Sequence, residues 1–427
     1  MTISIIIQSV GILIVLGVFV QIVLLMVSSF RRSFFEKEQF KRSIQLLDHQ
    51  IESARNYRSL KEKEVLVWDG WRKFEVHKKI YECEDQEIFS LYLLPHDQKP
   101  LPPFKPGQYL TFRIQVSDRS KGDKNTVRCY SLSDSPNKDY YRVSIKRMPS
   151  PPDHPDAAPG KCSNYIHDSV QEGGIIDVKA PNGKFYLDTS RQSPVVLIGG
   201  GVGITPILSM LNTVADQGFN REVWLFYGLR NSQKHCMKDH LNQIAREHDN
   251  LHLHICYSRP LESDIKGEDY QHGQWITVDL FKRLLPSNNY DYYLCGPGPM
   301  MESLINGLGE WGVPDENIHC ESFGPAGFKK GKKSSHLEST PDLEYQVKFS
   351  KSEQLLKWNS EAESLLVLGE NNDISMDSGC RSGNCGTCLV AIKSGEFDYT
   401  TKPDYECEAG TMLTCCAIPI SDIDIDA

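Results

Sequence analysis

The stretch PVVLIGGGVGITPILSML, residues 194–211, decides the fold of the middle of the chain. An apolar run leads into a glycine-rich turn and then into a longer apolar run, which predicts a strand, a turn and a helix in succession. This context is the one that a dinucleotide-binding fingerprint requires. Pro206 stands where the G-x-G-x-x-G motif has its third glycine, and it suits the first turn of a helix because its missing N–H is no loss there.

Three more strand candidates follow this stretch and alternate with helical segments. They are REVWLFYG (221–228), LHLHICYS (251–258) and DYYLCGPG (291–298). Strands that alternate with helices in this way predict a parallel, doubly wound α/β sheet. We assign residues 193–325 to this domain.

On the N-terminal side, residues 72–190 consist of short alternating strands separated by turns, which predicts a small antiparallel β-barrel. We assign residues 70–192 to it. Inside it, RCYSL (128–132) places a cation, a phenol and a hydroxyl on one extended segment, and Arg128 could hold a phosphate in a fork. GKCSNYIHDSV (160–170) starts a predicted helix, and the N–H groups of a helix N-terminus suit an anion.

Near the C-terminal end, CRSGNCGTC (380–388) carries three cysteines in nine positions, and TMLTCCAIP (411–419) follows it. The C-x4-C-x2-C spacing is that of a plant-type [2Fe–2S] cluster, which needs a fourth thiolate from farther along the chain. A structural zinc site would more naturally pair two C-x2-C knuckles, and there is one such pair here. The spacing therefore favours the cluster, with zinc and disulfides as the alternatives.

The cysteine run belongs to a separate C-terminal segment. LEYQVKFS (343–350) predicts a strand, and ESLLVLGENN (363–372) predicts a helix that leads to the cysteine loop. We assign residues 342–427 to this α+β domain. Residues 326–341 before it are rich in Gly, Lys and Ser, which predicts a flexible linker.

The motifs of the N-terminal barrel resemble a known flavin site. R-x-Y-S, G-x-x-S and APNGKF (180–185) resemble the flavin-binding barrel of the ferredoxin–NADP reductase superfamily. GKCSNYIHD looks most like the FAD-binding members of that superfamily, such as flavohaemoglobins. The resemblance implies that FAD contacts Arg128, Tyr130, Ser131, Gly160, Cys162 and Ser163.

The same superfamily has G-G-G-x-G-x-T-P and C-G-P-x-x-M turns in its nicotinamide domain, and both occur here. The resemblance implies coenzyme contacts from Gly199, Gly200, Gly201, Gly203, Thr205, Pro206, Gly296, Pro297 and Met300. It also places Cys295 beside the nicotinamide ring. In ESFG (321–324) it makes Phe323 the aromatic residue over the flavin, with Glu321 nearby.

The choice between NADH and NADPH is open. NAD sites commonly place an acidic residue after the second strand to bind the ribose 2′-hydroxyl, and none stands in LRNS after EVWLFYG. Arg230, or Ser258 with Arg259, could instead meet a 2′-phosphate, as in NADP-binding relatives. Flavohaemoglobin-like chains carry an arginine at the first of these places while using NADH. The domain order favours NADH.

Residues 342–427 resemble a plant-type ferredoxin, which implies a β-grasp fold. The resemblance extends to TMLTCCAIP and makes the first cysteine of that segment the fourth ligand, with Cys416 and Cys407 as alternatives. The implied cluster ligands are Cys380, Cys385, Cys388 and Cys415. The order of flavin, nicotinamide and ferredoxin domains is that of phthalate-dioxygenase-type reductases.

The first thirty residues contain no charged residue, and their apolar run exceeds the roughly 20 residues that span a bilayer. We therefore predict a transmembrane anchor at residues 1–30. Lysines and arginines crowd residues 31–42 and are absent before them, so the positive-inside rule places the rest of the chain in the cytoplasm. Apolar residues at helical spacing predict an amphipathic stalk helix within residues 31–69.

The whole chain has 427 residues, a net charge of −9 and no basic face that points to nucleic acid. Its cysteines are mostly scattered, which indicates a reducing compartment. We expect a multidomain, membrane-anchored reductase that passes electrons from NAD(P)H through FAD and [2Fe–2S] to an oxygenase, hydroxylase or desaturase in or at the membrane. The alternative is a subunit of a respiratory NADH–quinone-type complex. A non-enzymatic cluster-bearing sensor would leave both nucleotide sites without a role.

Overall fold

The computed structural model describes residues 67–118, 122–150, 159–218, 221–323, 345–359, 362–400, 403 and 405–427, together with residue 21. The predicted anchor, almost all of the predicted stalk and the predicted linker lie outside the described residues. In the part of the chain that is described, no helix is both long enough and apolar enough to cross a membrane. Residues 67–427 form one unit, and the following description concerns this unit.

A six-stranded antiparallel sheet and one helix make up the first domain. Its elements are β1 (Arg72–Tyr81), β2 (Ile88–Pro95), β3 (Tyr109–Asp118), β4 (Gly122–Ser131), β5 (Tyr141–Lys146), α1 (Lys161–Ser169) and β6 (Ile175–Asn182). The strand order is β4-β3-β6-β1-β2-β5. The edge strands β4 and β5 also approach each other, at an isolated bridge between Leu132 and Val143. The antiparallel sheet is confirmed, and its closure into a barrel stays a prediction.

A parallel sheet with helices between its strands makes up the second domain. Its elements are β7 (Val195–Gly200), α2 (Ile204–Asp216), β8 (Val223–Leu229), α3 (Lys238–Glu247), β9 (Leu251–Tyr257), α4 (Val278–Leu284), β10 (Asp291–Cys295), α5 (Gly298–Glu310) and β11 (Ile318–Glu321). The order β11-β10-β7-β8-β9 reverses direction between β7 and β10. Such a switch point leaves a crevice at the carboxyl ends of the strands.

The strands of this parallel sheet are apolar almost throughout. The strand β7 is buried at every position, as expected when both faces of a sheet are covered by helices. One apolar cluster packs α2 and α3 against one face, and a second packs α4 and α5 against the other. The predicted doubly wound α/β domain is therefore confirmed.

The C-terminal domain is a small mixed sheet with one helix. Its elements are β12 (Gln346–Phe349), β13 (Gln354–Lys357), α6 (Leu365–Asn371), β14 (Leu389–Ser394), β15 (Phe397–Tyr399), β16 (Thr411–Leu413), β17 (Ala417–Pro419) and β18 (Ile423–Ile425). The sheet order is β13-β12-β18-β14-β16, with β12 and β18 parallel. Ser364 caps α6 by accepting a hydrogen bond from the N–H of Val367, at 3.3 Å. The loop between α6 and β14 carries the first three predicted cluster cysteines.

Candidate functional site

Two glycine-bearing turns meet at the switch point of the parallel sheet. A Cβ atom at Gly203, after β7, would lie 2.3 Å from the carbonyl oxygen of Cys295, at the end of β10. A Cβ atom at Gly296 would lie 2.3 Å from Cε of Met300. Gly201 instead has φ +53° and open space beside it, so its backbone is accessible to a bound molecule. The turns thus pack against each other and leave one exposed edge.

The helix α2 begins directly after this exposed edge. Thr205 lies in its first turn, and its Oγ1 donates a hydrogen bond to the carbonyl of Val202, at 3.1 Å. Pro206 follows, at a position where the backbone needs no N–H. A short 3-10 turn at Gly201–Gly203 extends α2 toward the exposed edge, since the N–H of Ile204 donates to the carbonyls of Gly201 and Val202. The N–H groups at the start of such a helical run have no partner within it, and they attract anions. The arrangement therefore fits the pyrophosphate of a dinucleotide.

Three of the predicted catalytic and flavin-binding residues lie close together, at the ends of β4, β10 and β11. Cys295 lies opposite Glu321 because β10 and β11 pair in parallel. Ser131, at the end of β4, donates a hydrogen bond from its Oγ to Oε2 of Glu321, at 3.5 Å. Burial raises the pKa of Cys295, and Glu321 raises it further. The site is therefore assembled from the first two domains and keeps Cys295 as a neutral thiol.

Phe323 lies two residues beyond Glu321 and is 42% exposed. Its side chain is therefore not part of the apolar core. The structure does not show it in contact with Cys295 or Ser131. Its exposure is compatible with the predicted stacking on a flavin ring.

The two flavin-binding segments predicted from the sequence touch each other through Tyr130 and Cys162. The Oη atom of Tyr130 lies 3.6 Å from Sγ of Cys162, and burial raises the pKa of both groups. The Cys162 side chain is buried. The hydroxyl of Ser163 donates to the carbonyl of Gly160 and accepts from the N–H of Met148, both at 3.2 Å.

Arg128 lies two residues before Tyr130 on β4, and its Nη1 donates to the carbonyl of Val127, at 2.7 Å. Its guanidinium, the phenol of Tyr130 and the start of α1 thus belong to one region of the first domain. A cation, a ring and a helix N-terminus are the groups that a flavin with a pyrophosphate requires. These residues fit FAD.

Backbone N–H groups surround the cysteine sulfurs of the loop before β14. Sγ of Cys380 accepts hydrogen bonds from the N–H groups of Ser382, at 3.4 Å, and Asn384, at 3.2 Å. Sγ of Cys385 accepts one from the N–H of Cys380, at 3.2 Å. Gly383, with φ +80°, allows the loop to turn this tightly. Such N–H contacts to sulfur are the expected surroundings of cluster thiolates.

The four predicted cluster cysteines form two pairs. The neighbouring thiol of Cys385 raises the pKa of Cys380, and the neighbouring thiol of Cys415 raises the pKa of Cys388. Four thiolates are the ligand set of a [2Fe–2S] cluster. The donor set and its arrangement fit a two-iron cluster.

The two alternative fourth ligands have other neighbours. Sγ of Cys416 is buried and lies 3.7 Å from the carbonyl of Leu413. Sγ of Cys407 lies 3.5 Å from Oη of Tyr399. Cys415 raises the pKa of the Cys388 thiol, and its place as the fourth ligand stays a prediction.

Two contacts join the flavin-binding sheet to the cysteine loop, and the sequence motifs do not reveal them. Sγ of Cys129, between Arg128 and Tyr130, lies near Sγ of Cys385, since a Cβ atom at Gly379 would be 3.4 and 2.7 Å from them. Cys129 also raises the pKa of Cys385. Tyr109, on the neighbouring strand β3, donates from Oη to the carbonyl of Asn384, at 3.3 Å. Burial raises the pKa of Tyr109, and the nearby thiols of Cys129 and Cys385 raise it further.

The residues that could distinguish NADPH from NADH at the ribose 2′ position lie at the ends of β8 and β9. The N–H of Arg259 donates to the carbonyl of Arg230, at 2.9 Å, so the two arginines are neighbours. Ser258 donates from both N–H and Oγ to the carbonyl of Leu229, at 2.9 and 3.2 Å. Both arginines are exposed. The structure therefore brings all three predicted residues together at the edge that carries the glycine-rich turn.

Three domain families match the chain in succession. Residues 73–186 match the oxidoreductase FAD-binding domain, and residues 197–305 match the oxidoreductase NAD-binding domain. Residues 350–419 match the 2Fe–2S iron–sulfur cluster binding domain. The cluster interpretation of the cysteine run is therefore confirmed, and the zinc and disulfide alternatives are wrong.

Curated relatives match the first two of these domains. The flavohemoprotein of Halalkalibacterium halodurans is 40% identical over 261 residues, which are 61% of this chain and 61% of that protein. The flavohemoprotein of Bacillus anthracis is 41% identical over 260 residues, 61% of this chain and 62% of that protein. The chain thus spans about three fifths of the length of these relatives.

Solved structures extend the comparison. The flavohem-like FAD/NAD-binding domain of nitric oxide dioxygenase from Vibrio cholerae is 31% identical, with a TM-score of 0.51, over 60% of this chain and 99% of that one. Phthalate dioxygenase reductase is 24% identical, with a TM-score of 0.53, over 84% of this chain and 98% of that one. The second similarity concerns the fold and includes the ferredoxin domain.

The domains and their sites define an oxidoreductase with FAD- and NAD-binding domains and a [2Fe–2S] domain, whose cofactors are FAD, [2Fe–2S] and NAD(P)H. The chain carries FAD-binding, NAD-binding and 2Fe–2S domains in succession, which is the domain order of phthalate dioxygenase reductase.

Proposed function

We propose that this chain is a membrane-anchored reductase that passes electrons from NAD(P)H through FAD and [2Fe–2S] to an oxygenase, hydroxylase or desaturase. A flavin accepts hydride and releases electrons singly, which is the conversion that a nicotinamide donor and an iron–sulfur acceptor require. The observation that carries the proposal is the contact of Cys129 and Tyr109 with the cysteine loop. The R-x-Y-S strand adjoins the predicted cluster ligands through this contact, which supports electron transfer from FAD to [2Fe–2S].

The residues of the chain have distinct tasks in this proposal. The turns at Gly201 and Gly296 bind the coenzyme, and Cys295 packs beside its nicotinamide ring. Ser131 and Glu321 are hydrogen-bonded to each other across the first two domains and align the flavin with that ring. Cys295 is fully buried, so its surroundings exclude water.

The acceptor is proposed to lie in or at the membrane. The uncharged run at residues 1–30 supports an anchor, and the basic residues that follow it support a cytoplasmic location of the three domains. Anchoring raises the effective concentration of the reductase beside a membrane-bound acceptor.

The order of the redox centres is tested by deleting residues 342–427. The remaining part corresponds to the FAD/NAD-binding region that exists as a separate solved domain in Vibrio cholerae. We expect NAD(P)H-dependent reduction of ferricyanide to persist and reduction of cytochrome c to fall sharply. If flavin reduction by the coenzyme is also lost, the domains do not act in series.

The anchor and the acceptor are tested separately. After cell breakage and an alkaline wash, the full chain is expected in the membrane fraction and a chain without residues 1–30 in the supernatant. Purified alone in detergent, the full chain should reduce soluble acceptors. Obligate co-purification with integral membrane subunits would instead support the respiratory-complex alternative.

A further inference from the structure

Two cysteines that the electron-transfer route does not use face each other across the first two domains. Cys83 lies in the turn between β1 and β2, and Cys236 lies just before α3. The neighbouring thiol of Cys83, together with burial, raises the pKa of Cys236. The backbone next to them is paired as well, because the N–H of Met237 donates to the carbonyl of Glu82, at 3.3 Å. This backbone hydrogen bond therefore keeps the two thiols next to each other.

Ion pairs hold the same two segments together. The ammonium of Lys234, two residues before Cys236, pairs with the carboxylates of Asp85 and Glu87. The N–H of Asp85 also donates to the carbonyl of Gln233, at 3.5 Å. Backbone hydrogen bonds, ion pairs and a thiol pair thus join the two domains here. All of them lie within a few residues of Cys83 in the first domain and of Cys236 in the second.

The two thiols differ in exposure. Cys236 is 2% exposed and lines a small cavity with Glu82 and Thr205, the latter from the start of α2. Cys83 is partly exposed, and its Sγ lies 3.0 Å from Oδ1 of Asp85. A small oxidant from solvent therefore reaches Cys83 first, and Cys236 is the neighbouring thiol that can complete a disulfide.

We propose that Cys83 and Cys236 form an oxidisable dithiol, which hydrogen peroxide closes to a disulfide between the flavin and nicotinamide domains. The sulfur of Cys83 attacks peroxide as its S–H proton leaves, the O–O bond breaks, and sulfenic acid forms together with one water that takes up that proton. The sulfur of Cys236 then displaces the sulfenic hydroxyl, and a second water leaves. In total two thiols and one peroxide give one disulfide and two waters, so both sulfurs are oxidised and the peroxide oxygens are reduced.

In a reducing compartment the pair stays open, because cellular thiols reverse such bonds. Under peroxide it closes a loop that runs from residue 83 to residue 236. A crosslink over a loop this long restricts the unfolded chain strongly. The disulfide is therefore expected to fix the arrangement of the two nucleotide-binding domains and to delay thermal release of FAD.

The bond is tested by peptide mapping of the full-length holoprotein in detergent. The protein is treated with hydrogen peroxide or left reduced, its free thiols are blocked with N-ethylmaleimide, and it is digested with trypsin without reductant. Lys99 and Lys105 precede prolines, so Cys83 is released in peptide 80–113, and Cys236 is released in peptide 235–238. Each peptide contains one cysteine.

We expect peroxide to produce a linked pair of these peptides that a reductant separates. FAD release should shift upward by about 5 °C or more in the oxidised protein. Cys83→Ser and Cys236→Ser should each lose both effects, whereas Cys256→Ala, on β9 of the same domain, should keep them. If peroxide-treated wild type yields these peptides only unlinked, or linked to other cysteines, the proposal is wrong. The wild-type mapping decides the question even if a serine variant does not fold.

Discussion

The phenol of Tyr109 donates a hydrogen bond to the backbone carbonyl of Asn384, which lies 275 positions later in the chain. Asn384 immediately precedes Cys385, one of the predicted cluster ligands, and Tyr109 pairs with Ser131 across β3 and β4. The same tyrosine thus contacts the cysteine loop and belongs to the strand pair of the flavin site. This link between sheet and loop leads to the first prediction.

We expect Tyr109→Phe to lower NAD(P)H–cytochrome c reductase activity severalfold while ferricyanide reduction stays close to wild type. The substitution removes one buried hydrogen bond, worth about 1 kcal/mol, from the contact between sheet and loop. Steady-state assays with both acceptors measure the effect. The matched control is Tyr141→Phe, which removes a buried hydrogen bond to the carbonyl of Pro102 inside the first domain. Equal losses with both acceptors in Tyr109→Phe would contradict the prediction.

Substitution of the adjacent cysteines 415 and 416 should have different effects on the cluster. Cys415→Ser is expected to abolish or severely destabilise the [2Fe–2S] absorbance and electron paramagnetic resonance signals, because Cys415 neighbours Cys388. Cys416→Ser should retain them, since that thiol contacts the carbonyl of Leu413 instead. Iron content per chain provides an independent measurement. A spectrum that survives in Cys415→Ser would overturn this assignment.

Gly203→Ala should abolish reduction of the flavin by the coenzyme without releasing FAD. An added Cβ would lie 2.3 Å from the carbonyl oxygen of Cys295, so the two turns at the switch point would have to separate. Anaerobic stopped-flow absorbance follows flavin reduction, and bound FAD is counted after denaturation. Gly309→Ala in α5 is the control, because nothing lies within 4 Å of its Cβ position. In a helix that change is expected to stabilise the protein by up to about 1 kcal/mol.

We expect the protein to prefer NADH, and Arg259→Ala to change kcat/KM for NADH by less than about threefold. Arg230 and Arg259 are exposed neighbours, and such a pair is usually solvated unless a 2′-phosphate binds it in a fork. Steady-state kinetics with both coenzymes measure the preference, and Arg246→Ala on α3 is the control. A strong preference for NADPH that collapses in Arg259→Ala would make Ser258 and Arg259 a 2′-phosphate site.

Stability should fall as the pH drops below about 6.5, partly because of His235. This side chain is 5% exposed, its Nδ1 lies 2.8 Å from Oη of Tyr257, and its buried Nε2 has no hydrogen-bond partner. Burial lowers the pKa of His235 to about 4 in the folded state. Because the unfolded state binds the proton first, the stability contribution is complete above pH 6.5 and is lost between pH 6.5 and 4.

The loss from this one histidine is up to about 3 kcal/mol, from 1.36 kcal/mol per pKa unit. Urea unfolding at pH 7.5, 6.0 and 5.0, followed by tryptophan fluorescence, measures it. His235→Gln should reduce the dependence on pH, and His77→Gln, an exposed histidine on β1, should keep the wild-type slope. Identical pH slopes in wild type and His235→Gln would contradict the assignment.

Much of the architecture was predictable because local sequence patterns determine it. The apolar run before Gly199 forms a buried strand, and the cysteine spacing from Cys380 to Cys388 predicted the family of the last domain. Residues in such motifs occur in one kind of local structure, so the motif predicts that structure. Pro206 in the first turn of α2 is an example, since its chemistry allows few other positions.

The contacts between domains were not predictable in the same way. Cys129 and Tyr109 stand in ordinary strands, and nothing in their immediate sequence indicates that they touch a loop near residue 384. Cys83 and Cys236 are single cysteines in unrelated segments. Pairs of this kind depend on how domains pack, and packing is determined by many side chains at once. Ser163 is an example within one domain. Its motif predicted a contact with FAD, but it did not predict that the hydroxyl bonds to the turn at the helix start.

The parallel pairing of β12 with β18 places the first strand of the ferredoxin domain beside its last, from Val347–Ile423 to Phe349–Ile425. The ribosome makes β12 first, so this sheet has to wait until residue 425 has been synthesised. The strands of the flavin and nicotinamide domains are complete by Glu321. Both nucleotide-binding domains can therefore form while translation continues, and the sheet that supports the cysteine loop is completed only after them.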